Sequence, residues 1–168
     1  MNQTSKTSAP SIASASQGAR VAFVSSDWHR DIVDKARESM LAEFERCHWP
    51  RERIDQFEVP GAFEIPLHAQ KLAATGRYAA IVACGLVVNG GIYRHEFVAG
   101  AVIDGLMRAQ LDTGVPVLSA VLTPRDFHDH EDHRQFFSEH FVKKGREVAQ
   151  ACMQTLAGLE AIGQAAAA

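Results

Sequence analysis

Strands alternating with helices predict an α/β fold built on an open, parallel sheet of four strands with right-handed crossovers. Three observations carry that reading. Residues 79–88 (AAIVACGLVV) are nearly continuous apolar sequence, as expected of a central strand covered on both faces. Shorter strand-like segments at 20–25, 54–59 and 117–122 each run into turn or polar residues. Between and after them, the apolar spacing shifts to that of amphipathic helices.

The first strand is Arg20 to Ser25 (RVAFVS), and the helix after it sets Ile32, Val33, Ala36, Met40, Leu41 and Phe44 on one face. The second strand is Ile54 to Val59, with Phe57 and Val59 on the alternating face. Pro60-Gly61 then breaks it, because proline donates no backbone hydrogen bond and glycine accepts turn geometries that other residues resist. Helical spacing resumes at Phe63 and runs to Ala74, with Gly76 placed to end it. After the third strand a helix is predicted from about His95 to Leu111, where Ala99, Gly100, Ala101 and Gly105 permit close packing. Val117 to Leu122 is the fourth strand, and Asp129 to Phe141 and Lys143 to Leu159 are predicted as two final helices.

With 168 residues, 46% of them hydrophobic, the chain suits one compact domain, predicted over 19–163. Residues 1–18, rich in Ser, Thr, Ala and Gln, are expected to be a disordered leader rather than a signal peptide, and 164–168 a frayed tail. No apolar run is long enough to span a bilayer. A net charge of −3 without a basic stripe argues against nucleic acid as a partner. Cys47, Cys84 and Cys152 are odd in number and show no paired spacing, which points to free thiols in a reducing, cytoplasmic setting.

In open α/β sheets ligands bind beyond the carboxyl ends of the strands. All four predicted exits carry unusual residues: 25–28, 61–64, 89–95 and 123–133. Trp28 fits either a packed aromatic after an Asp27 cap or an indole that stacks on a flat heterocycle. Near Ala62, Phe63 and Glu64 the helix start offers unpaired amides with a carboxylate beside them, which suits a polar heterocycle or a polyol. The turn Asn89-Gly90-Gly91 precedes Arg94 and His95; it lacks the dinucleotide spacing but suits a phosphate or acid–base site. The run 125–133 (RDFHDHEDH) invites a metal reading, yet its acids suit a solvated loop, and His133 is better explained as one cation facing an anionic ligand. Lys143-Lys144-Gly145 is read as the start of the last helix, where lysines oppose the macrodipole unless a phosphate lies nearby.

Residues 60–66 (PGAFEIP), 85–98 (GLVVNGGIYRHEFV), 116–123 (PVLSAVLT) and Lys144-Gly145 together resemble the lumazine synthase family, over about Val21 to Ala151. The resemblance implies a three-layer α/β/α fold with a four-stranded parallel flavodoxin-like sheet. It implies condensation of 5-amino-6-(ribitylamino)uracil with 3,4-dihydroxy-2-butanone 4-phosphate to 6,7-dimethyl-8-ribityllumazine, releasing phosphate and water, in riboflavin biosynthesis. No metal and no organic cofactor is implied. The implied partners are the small-molecule substrates and further copies of the chain, in pentamers whose active sites lie between adjacent subunits. Departures from the commoner pattern are similar to the second type of the family, found as two pentamers.

By the same resemblance, Trp28, Ala62, Phe63, Glu64, Leu86, Val87 and Val88 match positions around the pyrimidine and ribityl chain, with Ser119 from the adjacent subunit and Lys144 before its glycine. Gly91 and Ile92 match the phosphate turn, and His133 stands where the family's phosphate-binding arginine is usual. The proton-donor histidine of most members falls on Arg94, with His95 one place later, so both are candidate catalytic residues. The substitutions at Ile92, Ser119 and His133 also fit a second reading, a flavin- or lumazine-binding module with little turnover.

Overall fold

Four strands, β1 (Val21–Ser26), β2 (Ile54–Val59), β3 (Ala80–Leu86) and β4 (Val117–Leu122), pair in parallel in the order β2-β1-β3-β4. The helices are α1 (Arg30–Arg46), α2 (Ile65–Ala74), α3 (His95–Thr113) and α4 (Glu131–Ala166). This is a computed structural model, and it describes residues 18–92 and 94–167. The expected leader at 1–18 therefore lies almost wholly outside the described residues.

Alternation along the strands builds two cores. Val21 and Phe23 of β1, with Ala80, Val82 and Cys84 of β3, face Ile32, Val33, Ala36, Met40 and Phe44 of α1 and Phe141, Ala149 and Cys152 of α4. Ala22, Val24, Ile81 and Ala83 face the opposite way, against Ile65 and Ala69 of α2 and Val102 and Leu106 of α3. The result is the expected α/β/α sandwich. β1 and β3 are buried along their whole length, whereas β2 and β4 are half-exposed edges. Because the chain winds from β1 outward to β2 and then from β3 outward to β4, its direction reverses between β1 and β3. That reversal opens a crevice at their carboxyl ends.

One expectation fails. The two final helices are a single helix of 36 residues. Gly145, read as part of the start of the last helix, lies mid-helix where α4 crosses α1. A Cβ there would lie 2.9 Å from the carbonyl carbon and Cα of Ala36 and still closer to its oxygen. The glycine is required by a neighbour 109 positions away in sequence terms, a long-range constraint that local patterning cannot express. Lys143 and Lys144 are consequently not at a helix start and face no macrodipole. The true start carries Glu131 and Asp132, the favourable sign. At the other end α4 continues through 164–166, where a frayed tail was expected.

A buried carboxylate also ties α1 to α4. Glu43 is only 5% exposed. Its two oxygens accept from the Arg46 guanidinium at 2.6 and 2.8 Å and from Gln150 Nε2 at 2.7 Å. The Arg46 bonds first, and then the Gln150 bond, hold its carboxyl down to about 2. Cys84 and Cys152 are free and buried, and desolvation pushes each thiol up to about 12.

Candidate active site

A cavity of about 350 Å³ fills the crevice at the carboxyl ends of β1 and β3. Its walls come from three strand exits: Trp28 and His29 after β1, Ala62 and Phe63 after β2, and Leu86, Val87, Val88, Gly90, Arg94, His95 and Val98 after β3. Most of this lining is apolar or aromatic, which suits a flat ring, and its cationic and titratable groups are His29 after β1 and the pair Arg94 and His95 after β3.

Two backbone bonds prolong the β1–β2 pairing into the loops, from Asp27 N to Val59 O at 2.8 Å and from Trp28 N to Pro60 O at 3.4 Å. They seat the indole against Gly61, where a Cβ would lie 3.3 Å from the ring atoms Cε3 and Cζ3 and 3.1 Å from Glu64 Oε2. Glycine is therefore what lets Trp28 and Glu64 approach the same turn. The indole remains 68% exposed, so it is a wall of the cavity and not a core aromatic.

Residues 62–64 form a short 3-10 turn ahead of α2. Glu64 N bonds to Gly61 O at 3.3 Å, so this amide, expected as a ligand donor, is committed to the turn. The Glu64 carboxylate folds back to accept the Gly61 amide at 2.9 Å through Oε2, the glutamate half of a capping box.

After β3, Asn89 Oδ1 accepts from Gly91 N at 2.9 Å, and Gly91 has φ 77°, a left-handed turn that favours glycine. Arg94 has extended backbone (φ −78°, ψ 94°) and lays its guanidinium over the Phe97 ring, 4.8 Å from the centroid. His95 is the first helical residue, its side chain 13% exposed, with Nδ1 3.6 Å from Glu96 Oε2. The rotation of about 100° per residue that separates neighbours on a helix does not apply between them, because Arg94 precedes the helix. Both therefore line the cavity.

The 6,7-dimethyl-8-ribityllumazine synthase family matches residues 18–160 of this sequence. The chain is 60% identical over 151 residues to the 6,7-dimethyl-8-ribityllumazine synthase of Rhodococcus erythropolis, covering 90% of this chain and 97% of that protein. It is 62% identical over 149 residues to 6,7-dimethyl-8-ribityllumazine synthase 2 of Bradyrhizobium diazoefficiens, covering 88% and 89%. With synthase 2 of Pseudomonas syringae pv. tomato the identity is 57% over 137 residues, covering 82% and 81%. The chain belongs to the 6,7-dimethyl-8-ribityllumazine synthase family. It is accordingly an enzyme, a transferase of riboflavin biosynthesis.

Against that family the candidate residues fall in four places. Trp28, Ala62, Phe63, Leu86, Val87, Val88, Arg94 and His95 line the cavity, and Glu64 braces its turn. Gly91 and the 83% exposed Ile92 belong to the adjoining turn but not to the lining. Ser119 and Lys144 share a separate groove of about 250 Å³ between β4 and α4, with Leu118, Glu147, Val148 and Ala151, and the two cavities have no residue in common. Lys144 Nζ is bonded to Glu147 at 2.6 Å, and this lysine holds the glutamate below the usual carboxylate range. His133 is in neither. It is half-buried at the start of α4, against Phe127 and Phe137 with ring centroids 6.5 and 6.4 Å away, and Phe127 reaches back to His29 at 5.4 Å.

Two lining residues were not singled out from sequence, His29 and Val98, whereas Gly90 belongs to the turn read as suiting a phosphate or acid–base site. Val98 was findable, since it lies one helical turn beyond His95. His29 adopts φ 56° at the N-cap of α1, a backbone state that no sequence signal announces for histidine. Among the described residues no group of three or more His, Cys, Asp and Glu is arranged to hold a metal ion. None of their helices is long and apolar enough to cross a membrane.

Proposed function

We propose that the cavity takes the pyrimidine of 5-amino-6-(ribitylamino)uracil between Trp28 and the Leu86–Val88 segment, with the ribityl chain along Ala62, Phe63 and Glu64. The observation that carries this reading is the indole wall seated on Gly61, opposite an apolar strand exit and beside a carboxylate-braced turn. 3,4-Dihydroxy-2-butanone 4-phosphate enters at the other end, its phosphate against Gly91, Ile92 and His133. Condensation of an amine with a ketone expels water, and departure of phosphate needs charge neutralisation and a proton. Arg94 supplies the first through its guanidinium, and His95 the second through an imidazole that can donate and accept a proton. Most of the rate comes from holding two substrates in register.

The catalytic unit is a ring in which the groove bearing Ser119 and Lys144, together with His133, is presented to the cavity of the adjacent subunit. Five subunits form the ring, and two rings face each other in the cytoplasm. The exposed Phe63, Leu67, Phe97, Met107 and Leu111 on α2, α3 and the preceding turn are apolar surface that such a ring would cover.

A coupled assay with both substrates, read by lumazine fluorescence, tests the reaction, and light scattering at micromolar concentration tests the assembly, expected at about ten subunits. Single-turnover rates test the roles at Arg94 and His95. Each alanine variant should slow the chemical step by about 10²-fold at most, because positioning carries much of the rate. If only His95→Ala slows it, Arg94 has no part in the chemistry.

A further inference from the structure

The loop before α4 contains a hydrogen bond that fixes the position of a proton. The backbone N–H of His128 donates to Nδ1 of His133 at 3.2 Å. A ring nitrogen accepts only through its lone pair, so Nδ1 carries no proton and the one ring proton sits on Nε2. We infer that the His128 backbone locks His133 as the neutral Nε2–H tautomer, and that the loop offers the substrate phosphate this N–H donor and not a positive charge. The phosphate half of the inference rests on the placement of His133 proposed above.

The ring sits in a cluster of aromatic side chains. Phe127 and Phe137 pack on it, and the imidazole of His128 stands 5.3 Å away, centroid to centroid. The charged and titratable groups nearby include His128, Asp129 and His130 in the loop, Glu131, Asp132 and Arg134 on α4, and His29 and Asp31 at the start of α1. Two of these carboxylates are taken by Arg134, Asp129 through Oδ1 at 2.6 Å and Asp31 through Oδ2. Neither is bonded to His133. A second proton, on Nδ1, would turn the acceptor into a donor aimed at the His128 N–H and open the turn that joins 128 to 133. The sequence reading of His133 as a cation is replaced on this ground. It also explains how histidine serves at a position where arginine is usual in the family. A single aligned N–H remains, which gives direction to the contact at the expense of the charge-assisted strength of a guanidinium.

Two variants separate the nitrogens. His133→Asn puts an oxygen near the Nδ1 position and keeps the acceptor while losing the outward N–H. His133→Gln puts its amide near the Nε2 position and loses the acceptor. Nitrogen NMR of the full chain labelled in histidine, with the His133 signals assigned by their loss in His133→Gln, should give an unprotonated Nδ1 and a protonated Nε2 at pH 8. Amide exchange at His128 should stay slow in His133→Asn and rise at least about tenfold in His133→Gln, since only the second opens the clasp. The KM for the butanone phosphate should rise about tenfold in His133→Asn, with the loss in KM and not in kcat. A proton on Nδ1, or equal His128 exchange in wild type and His133→Gln, overturns the tautomer lock. An unchanged KM in His133→Asn with the lock confirmed overturns the placement at the phosphate instead.

Discussion

At Trp28 exposure and order coincide. The indole is 68% exposed, yet its backbone is bonded to Pro60 and its ring rests on Gly61. A large apolar ring left in water has little effect on the fold when removed, so Trp28→Ala should leave stability nearly unchanged. It should lose about 1–3 kcal/mol of affinity for the ribitylaminouracil, the usual worth of base–aromatic stacking. Trp49, the other tryptophan, is buried against Phe44 and provides an internal fluorescence control. Quenching by the ligand that persists in Trp28→Ala would remove the indole from the site. This much was legible in sequence as one of two readings of Trp28. That the indole forms an exposed wall and is not packed in the core depends on Gly61 and the two loop hydrogen bonds, which bring together residues more than thirty positions apart.

Among the elements, α4 shows most clearly where local reading stops. Strands β2 and β4 were legible to the residue because their signal is local: apolar residues at strand spacing that end at proline, glycine or a polar loop. Gly145 stood at what local reading took for a helix start, but what requires a glycine there is the backbone of Ala36 in α1. The overlap is with carbonyl and Cα atoms, which no rotamer change can move aside. Gly145→Ala should therefore push the helices apart and destabilise the chain by about 1–3 kcal/mol, the common cost of overpacking, despite alanine's better helix propensity. Denaturant midpoints at fixed protein concentration would measure it. Adding Ala36→Gly should not restore the midpoint, because it removes a side chain and leaves the clashing atoms; a restored midpoint would refute a backbone contact.

For the molecule as a whole, acid sensitivity follows from Glu43. Its carboxyl is held at about 2 in the fold against an ordinary value near 4.5. Because the folded value is the lower one, the stabilisation is complete above about 4.5 and is lost as pH falls through about 2. Glu43→Gln should be less stable than wild type at neutral pH. The gap should close across that acid interval, as followed by denaturant titrations at stepped pH. A gap that stays constant with pH would mean that Glu43 contributes packing and not charge. Other shifts act in the same direction: Asp55, Asp129 and Glu147 are each held below the carboxylate range by a hydrogen bond from Arg20, Arg134 and Lys144 respectively.

The cavity at β1 and β3 and the groove at β4 and α4 share no residue, and that separation makes the chain suitable for genetic complementation. Trp28→Ala damages only the cavity, and Lys144→Ala only the groove. Unfolded together and refolded as mixed rings, the two defective chains would pair an intact cavity with an intact groove at about one junction in four, if neighbours meet head to tail and at random. Two preparations, each slow alone at low substrate, would then regain a measurable fraction of wild-type turnover on shuffling. Rings mixed without prior unfolding would not. Shuffled rings no faster than the average of their parents would mean that each chain works alone.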